Sequence, residues 1–197
     1  MSSRSAQAAE REGRVPEGTR SWQFNFNFVS TNDESSNESI QLRTNAGINF
    51  QKIGSAWIPP EDFGEAIMAS GLVLNEKTHW LTFHSGYDFG YMLELLTCEK
   101  LPPNIEQFIA KARTFFSNVI DLMHVTSNIG QGYHGSLQAI ATNLDVKRIG
   151  TMHQAGSDSL ITGAVYFKLK EKHHELVVEK IICVLFGLNN DYRDGNA

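Results

Sequence analysis

The sequence predicts a layered fold of mixed strands and helices, α/β or α+β. Three observations carry that reading. In WQFNFNF, Trp22, Phe24, Phe26 and Phe28 alternate with Gln23, Asn25 and Asn27, the period-two pattern of a half-buried strand. In NIEQFIAKARTFF, Ile105, Phe108, Ile109, Ala112 and Phe115–Phe116 recur at helical spacing. In WLTFHSGYDFGYMLELL, from Trp80 to Leu96, an apolar β-prone run passes through Ser85-Gly86-Tyr87 into a helical pattern.

Taken in order, residues 1–20 are small, polar and charged and are expected to form a mobile tail. The first strand is expected over Trp22–Phe28. STNDESSNES, residues 30–39, has no apolar anchor and is expected to be a polar loop. PPEDFGEAIMASG predicts a short helix. Pro59-Pro60 block its entry, Phe63, Ile67 and Met68 share a face, and Gly71 ends it. A strand is expected over His79–His84, then a helix from about Asp88 to Thr97. Asn104 is a suitable N-cap for the next helix. Val119–Ile120 predicts a short buried strand ending at Asp121, and SLQAIATNL a short amphipathic helix. Asp158 to Lys172 predicts a longer helix, and LVVEKIICVLFGL a last buried helix or strand.

Composition narrows the class. The 197 residues are 41% hydrophobic and 20% charged, ordinary for a globular domain, and suffice for a core without disulfides. Net charge is −5, so no global basic field gathers nucleic acid. A nucleic-acid role would need a local site with metal ions supplying positive charge. Cys98 and Cys183 form neither a disulfide framework nor a zinc spacing and are expected to be small core residues of a reducing compartment. No apolar run approaches the ~20 residues of a membrane span, and the N-terminus lacks the apolar stretch of a signal peptide. The expected location is cytoplasm and nucleus.

Three polar groups stand where chemistry is commonly found. Asp88 follows a strand and opens a helix. His153 and Asp158 lie in HQAGSDSLITG, a loop feeding a helix. Carboxylates that converge need a cation between them, or one must take up a proton. Mg²⁺ and Mn²⁺ favour such oxygen donors, and a neighbouring His could accept a proton from an attacking water. Each residue also has a plainer role. An Asp opening a helix is ordinarily an N-cap worth ~1 kcal/mol, and a lone loop His is ordinarily only that. His173-His174 in EKHHE point in different directions on a helix and fit a solvated face better than a metal site. GQGYHG, Gly130–Gly135, lacks the Lys-Ser/Thr of a phosphate-binding loop. Asp121 and His124 suit core or capping roles.

Two segments identify a family. FHSGYDFGYMLELLT and RIGTMHQAGSDSLITG resemble two signature segments of the CCR-associated factor family, the DEDD-type poly(A)-specific 3′–5′ ribonuclease subunits of the deadenylase complex built on the NOT scaffold. WQFNFNF, SGLVLNEKTHWLTFHSGYDFGY and LITGAVYFKLKE fit the same family, and the likeness runs from about Glu12 to Leu188. The resemblance implies a ribonuclease H-like α/β exonuclease fold. It implies four acidic residues binding two divalent ions, Mg²⁺ or Mn²⁺, with Asp88 matching the third acidic residue, Asp158 the fourth and His153 the general-base histidine. It implies in-line attack of a metal-activated water on the terminal phosphodiester of poly(A), releasing AMP. The implied partners are poly(A) RNA, the NOT scaffold subunit and the CCR-type nuclease subunit, with no membrane.

One departure bears on all of this. The family's first two acidic residues form an Asp-x-Glu pair on its first strand, ahead of the segment matching WQFNFNF, and this chain has no such pair there. Glu10-Arg11-Glu12 has the spacing but aligns with the turn before that strand. The fold is therefore expected to be incomplete, lacking the first strands. Residues 21–190 would be the C-terminal portion of a nuclease domain, flanked by tails at 1–20 and 191–197. A fragment or misassembled gene model, a degenerate paralogue and strands supplied by a partner chain each fit that departure. With only Asp88 and Asp158 as donors, metal binding is expected to be weak and the chain inactive as written. The alternative is a catalytically dead interaction module of the deadenylase complex.

Overall fold

The structure is a computed structural model that describes residues 19–26, 36–49, 57–129, 132–173 and 185–188. In chain order the elements are α1 (Asn37–Asn45), α2 (Pro60–Ala69), β1 (His79–Thr82), α3 (Gly86–Thr97), α4 (Ile105–Phe115), β2 (Asn118–Asp121), α5 (Leu122–Ile129), α6 (Leu137–Asn143) and α7 (Ala155–Lys172). Among the described residues the sheet has two strands, β1 and β2. They pair in parallel with Trp80 opposite Val119 and Leu81 opposite Ile120.

Strand periodicity explains how this small sheet organises two layers of helices. Successive side chains on a strand point to opposite faces. Leu81 and Ile120 enter one core with Leu122 and Val125 of α5, Ile140 of α6, and Ile161, Val165 and Leu169 of α7. Trp80 and Val119 enter the other, with Phe89 and Leu93 of α3, Phe108 and Ala112 of α4, and Phe116. Phe116 is the hub of that second core. Its ring meets Trp80 edge-on at 5.2 Å and Phe89 at 4.7 Å. Each fully buried aliphatic or aromatic side chain stabilises the fold by about 1.5–3 kcal/mol. β1 and β2 are thus covered on both faces, as a parallel pair requires.

Local signals act at several ends, as expected for Asn104 and, beyond the sequence expectations, for Ser136. Asn104 Oδ1 accepts the Gln107 N–H at 2.9 Å and Ser136 Oγ the Ala139 N–H at 3.2 Å, so both cap their helices. Pro60 opens α2, and Gly71, with φ of +75°, turns the chain just beyond it.

Other expectations need correction. WQFNFNF is not a regular strand where it is described. Only Phe26 makes a bridge, parallel to Ile58, while Trp22 and Phe24 are exposed. A ladder needs a backbone partner, and among the described residues this segment pairs only at Phe26–Ile58; its Ser21 and Gln23 side chains reach α7 instead. Ser21 Oγ donates to the Gly156 carbonyl and Gln23 Oε1 accepts the Gly156 N–H, both at 3.1 Å. The aromatic face survives in part, since Phe24 and Phe26 both pack on Phe63, with centroids at 5.0 and 4.9 Å. Phe28 lies outside the described residues. The polar segment after it is not all loop: Ser36 Oγ accepts the Ser39 N–H at 3.1 Å and starts α1, a helix with no buried residue. Cys98 is exposed at the left-handed C-cap of α3 rather than in a core. Cys183 and all of LVVEKIICVLFGL before Leu185 lie outside the described residues. No helix among the described residues is long and apolar enough to cross a membrane.

Candidate functional site

The β1–α3 junction is the first wall of the site. His84 adopts φ of +57°, which ends β1 and turns the chain into Gly86, where α3 begins two residues before Asp88. That turn is held from the neighbouring strand. Asp121, fully buried at the end of β2, accepts the N–H of His84 at 2.7 Å through Oδ1 and that of Ser85 at 3.2 Å through Oδ2. It also accepts the N–H groups of Met123 at 3.1 Å and Phe186 at 3.3 Å. Asp121 thus fixes the turn that leads into α3, while the helix itself starts without a side-chain cap. Ser85 is the residue at the N-cap, and Asp88 stands exposed in the first turn of α3.

The second wall is the loop before α7. His153 is exposed with φ of +65°, and Gln154 then opens the helix without a side-chain cap. Gln154 Nε2 donates instead to the Ala46 carbonyl at 2.6 Å, tying this loop to the end of α1. Asp158 lies in the first turn of α7 and is not its N-cap; its carboxylate meets Arg148. The positive end of the helix dipole favours a carboxylate at that position.

Asp88, His153 and Asp158 line one open cleft of about 960 Å³. Arg43 of α1, Arg148, Gln138, Thr82 and Thr162 line it too. A second hollow of about 610 Å³ lies along α3 and includes Tyr87 and Tyr91 but neither carboxylate. Neighbouring residues of α3 thus serve different surfaces, because successive helix positions do not face the same way.

Sequence reasoning missed the cleft's two cations. Arg148 has only a Lys and a Gly nearby in KRIG to mark it, and Arg43 belongs to a helix not expected there. His173, by contrast, bonds Tyr133 Oη at 3.1 Å and is no part of the cleft.

The cleft's chemistry is mixed: two carboxylates, an imidazole and two guanidiniums. These cations suit phosphate oxygens. The donor set does not suit a two-ion metal centre. Among the described residues no three His, Cys, Asp or Glu groups converge, and one of the two carboxylates is already paired with Arg148.

The chain matches no family model. Among curated proteins, one named "Probable CCR4-associated factor 1 homolog 7", from Arabidopsis thaliana, is 45% identical over 168 residues, which are 85% of this chain and 61% of that protein. "Poly(A) ribonuclease pop2" of Schizosaccharomyces pombe is 38% identical over 183 residues, 92% of this chain and 54% of that protein. The solved structure of S. pombe Pop2p in its Mg²⁺- and Mn²⁺-bound form shares 38% identity and a TM-score of 0.83, over 90% of this chain and 71% of that one. The chain belongs to the CCR4-associated factor 1 (Pop2) family. The RNase domain of yeast Pop2 superposes with a TM-score of 0.78 at 27% identity, over 92% of this chain and 72% of that one. Yeast CAF1 solved with the NOT1 MIF4G domain gives 0.73 at 27%, over 89% and 70%. The fold class is accordingly that of the Pop2 RNase domain. As a member of this family the chain spans 61% and 54% of the length of the two curated relatives.

Proposed function

We propose that this chain provides the poly(A)-binding cleft of a 3′–5′ exoribonuclease of the mRNA deadenylase complex. The supporting observation is the fit to metal-bound S. pombe Pop2p over 90% of the chain, with Asp88, His153 and Asp158 on one cleft. In this reading Arg43 meets the phosphates of the RNA 3′ end, and Arg148 holds Asp158 in place beside them. His153, exposed on the rim, takes a proton from the attacking water. Asp88 and Asp158 contribute two oxygen-donor groups toward a divalent ion. Such ions ordinarily take six or more oxygens, so two carboxylates, one already paired, hold Mg²⁺ or Mn²⁺ weakly. The purified chain therefore binds oligo(A) but shortens it little or not at all.

The same shortage favours a second reading, a non-catalytic module that docks on the complex. Its partners would be a NOT-type MIF4G domain, as with yeast CAF1, and a CCR-type nuclease subunit.

The test incubates the purified chain with labelled oligo(A) and Mg²⁺ or Mn²⁺, with Asp88→Ala as the control for contaminating nuclease. Binding of oligo(A) that Arg43→Gln weakens, without stepwise shortening, is the expected result. Absence of RNA binding, with retention on an immobilised MIF4G domain, establishes the docking module instead. Robust shortening that Asp88→Ala abolishes overturns the weak-metal reading.

A further inference from the structure

Arg148 is the most heavily engaged charge in the cleft. Its side chain is only 11% exposed, against 37% for Asp158. Its Nε–H donates to Gln138 Oε1 at 2.7 Å, and Nη1 donates to Ser157 Oγ at 3.1 Å. Ser157 Oγ donates in turn to the Ile149 carbonyl at 2.8 Å. The same Nη1 donates to Asp158 Oδ1. The guanidinium is thus clamped between α6 and the first turn of α7. It cannot leave Asp158 without breaking or rearranging bonds to both.

We infer that Arg148 acts as a built-in cation at Asp158, competing with any divalent ion for that carboxylate. The physical reason is direct. A guanidinium on Oδ1 withdraws one oxygen from coordination. Its fixed positive charge also opposes a second cation arriving a few ångströms away, and burial weakens the solvent screening between them. Asp88 has no such partner among the described residues and stands open to solvent. The two carboxylates therefore differ: Asp88 is available to a cation, whereas Asp158 is occupied by one. Arg148 is a positioning residue, fixing the orientation of the Asp158 carboxylate.

This inference rests on the reading of Asp158 as a metal donor, and the experiment separates the two. Mn²⁺ binding to the full chain is measured by electron paramagnetic resonance, without RNA, for wild type, Arg148→Gln, Arg148→Lys and Asp158→Asn. The Arg148→Gln chain is expected to bind Mn²⁺ about tenfold more tightly, the scale of removing one nearby positive charge. Arg148→Lys keeps the charge and is expected to stay near wild type, and Asp158→Asn to weaken binding. Unchanged or weaker binding in Arg148→Gln, with Asp158→Asn weakened, overturns the competition but leaves Asp158 as a donor. Unchanged binding in Asp158→Asn overturns the donor assignment itself. If Arg148→Gln fails to fold by circular dichroism, the wild-type chain still decides. Mg²⁺ titration should release the Arg148 guanidinium, seen by NMR as faster exchange of its Nη protons. A guanidinium signal unchanged at Mg²⁺ saturation overturns the inference.

Discussion

Asp121 Oδ1 accepts the backbone N–H of His84 at 2.7 Å, across 37 residues of sequence. This bond joins the end of β2 to the end of β1 and sets the angle at which α3 leaves the sheet. With three further N–H groups on the same buried carboxylate, Asp121 organises the wall that carries Asp88. Asp121→Ala strands those donors, each of which costs about 1–3 kcal/mol if left unpaired and dry. Water entering the vacated space relieves part of that. A loss of at least about 3 kcal/mol is expected in urea denaturation, with Asp121→Asn falling between.

Asp88→Ala should be nearly silent in the same assay. The residue is exposed and makes no cap bond, so a change within about 0.5 kcal/mol is expected. Asn104→Ala is the contrast. Its side chain caps α4, and its removal should cost about 1 kcal/mol. Equal losses in the two variants would mean that Asp88 caps α3 in solution.

Gly64→Ala tests the packing of α2 on α3. A Cβ at Gly64 would lie 2.8 Å from the Leu95 carbonyl oxygen, and backbone gives way less readily than a side-chain tip. Alanine gains about 1 kcal/mol of helix propensity, while overpacking costs about 1–3 kcal/mol. A net lower melting temperature is expected, with α2 amides exchanging faster as the helix moves outward.

The Lys111 ammonium, bonded to Glu99 Oε2 at 2.8 Å, holds the Glu99 carboxyl below the ordinary glutamate range through that hydrogen bond and its charge. A carboxylate lowered on folding adds stability above its unfolded value and loses it as pH falls through the folded one. Lys111→Met should return Glu99 to the ordinary range in an NMR titration. Any stability gap between the two proteins should close on acidification. Glu99 is exposed, so the gap is small.

What the sequence determined alone was local and periodic. Helical spacing, with the Asn104 cap, located α4, and an amphipathic pattern located α6, because those signals act within a few residues. Alternation along Trp22–Phe26 kept Phe24 and Phe26 on one aromatic neighbour but did not secure a strand. A ladder needs a backbone partner, and periodicity names none. Two long segments around Asp88, His153 and Asp158 were distinctive enough to indicate the family. Tertiary structure decided how these groups meet. It brought Asp121 under the β1–α3 turn from 37 residues away, and left Asp88 exposed in the first turn of α3 with no cap bond to make. It also placed Arg148 against Asp158 by packing α6 beside α7. Asp88 and Asp158 are the same residue type at similar helix positions. Their difference, one open and one paired, arises from long-range packing that no local pattern encodes.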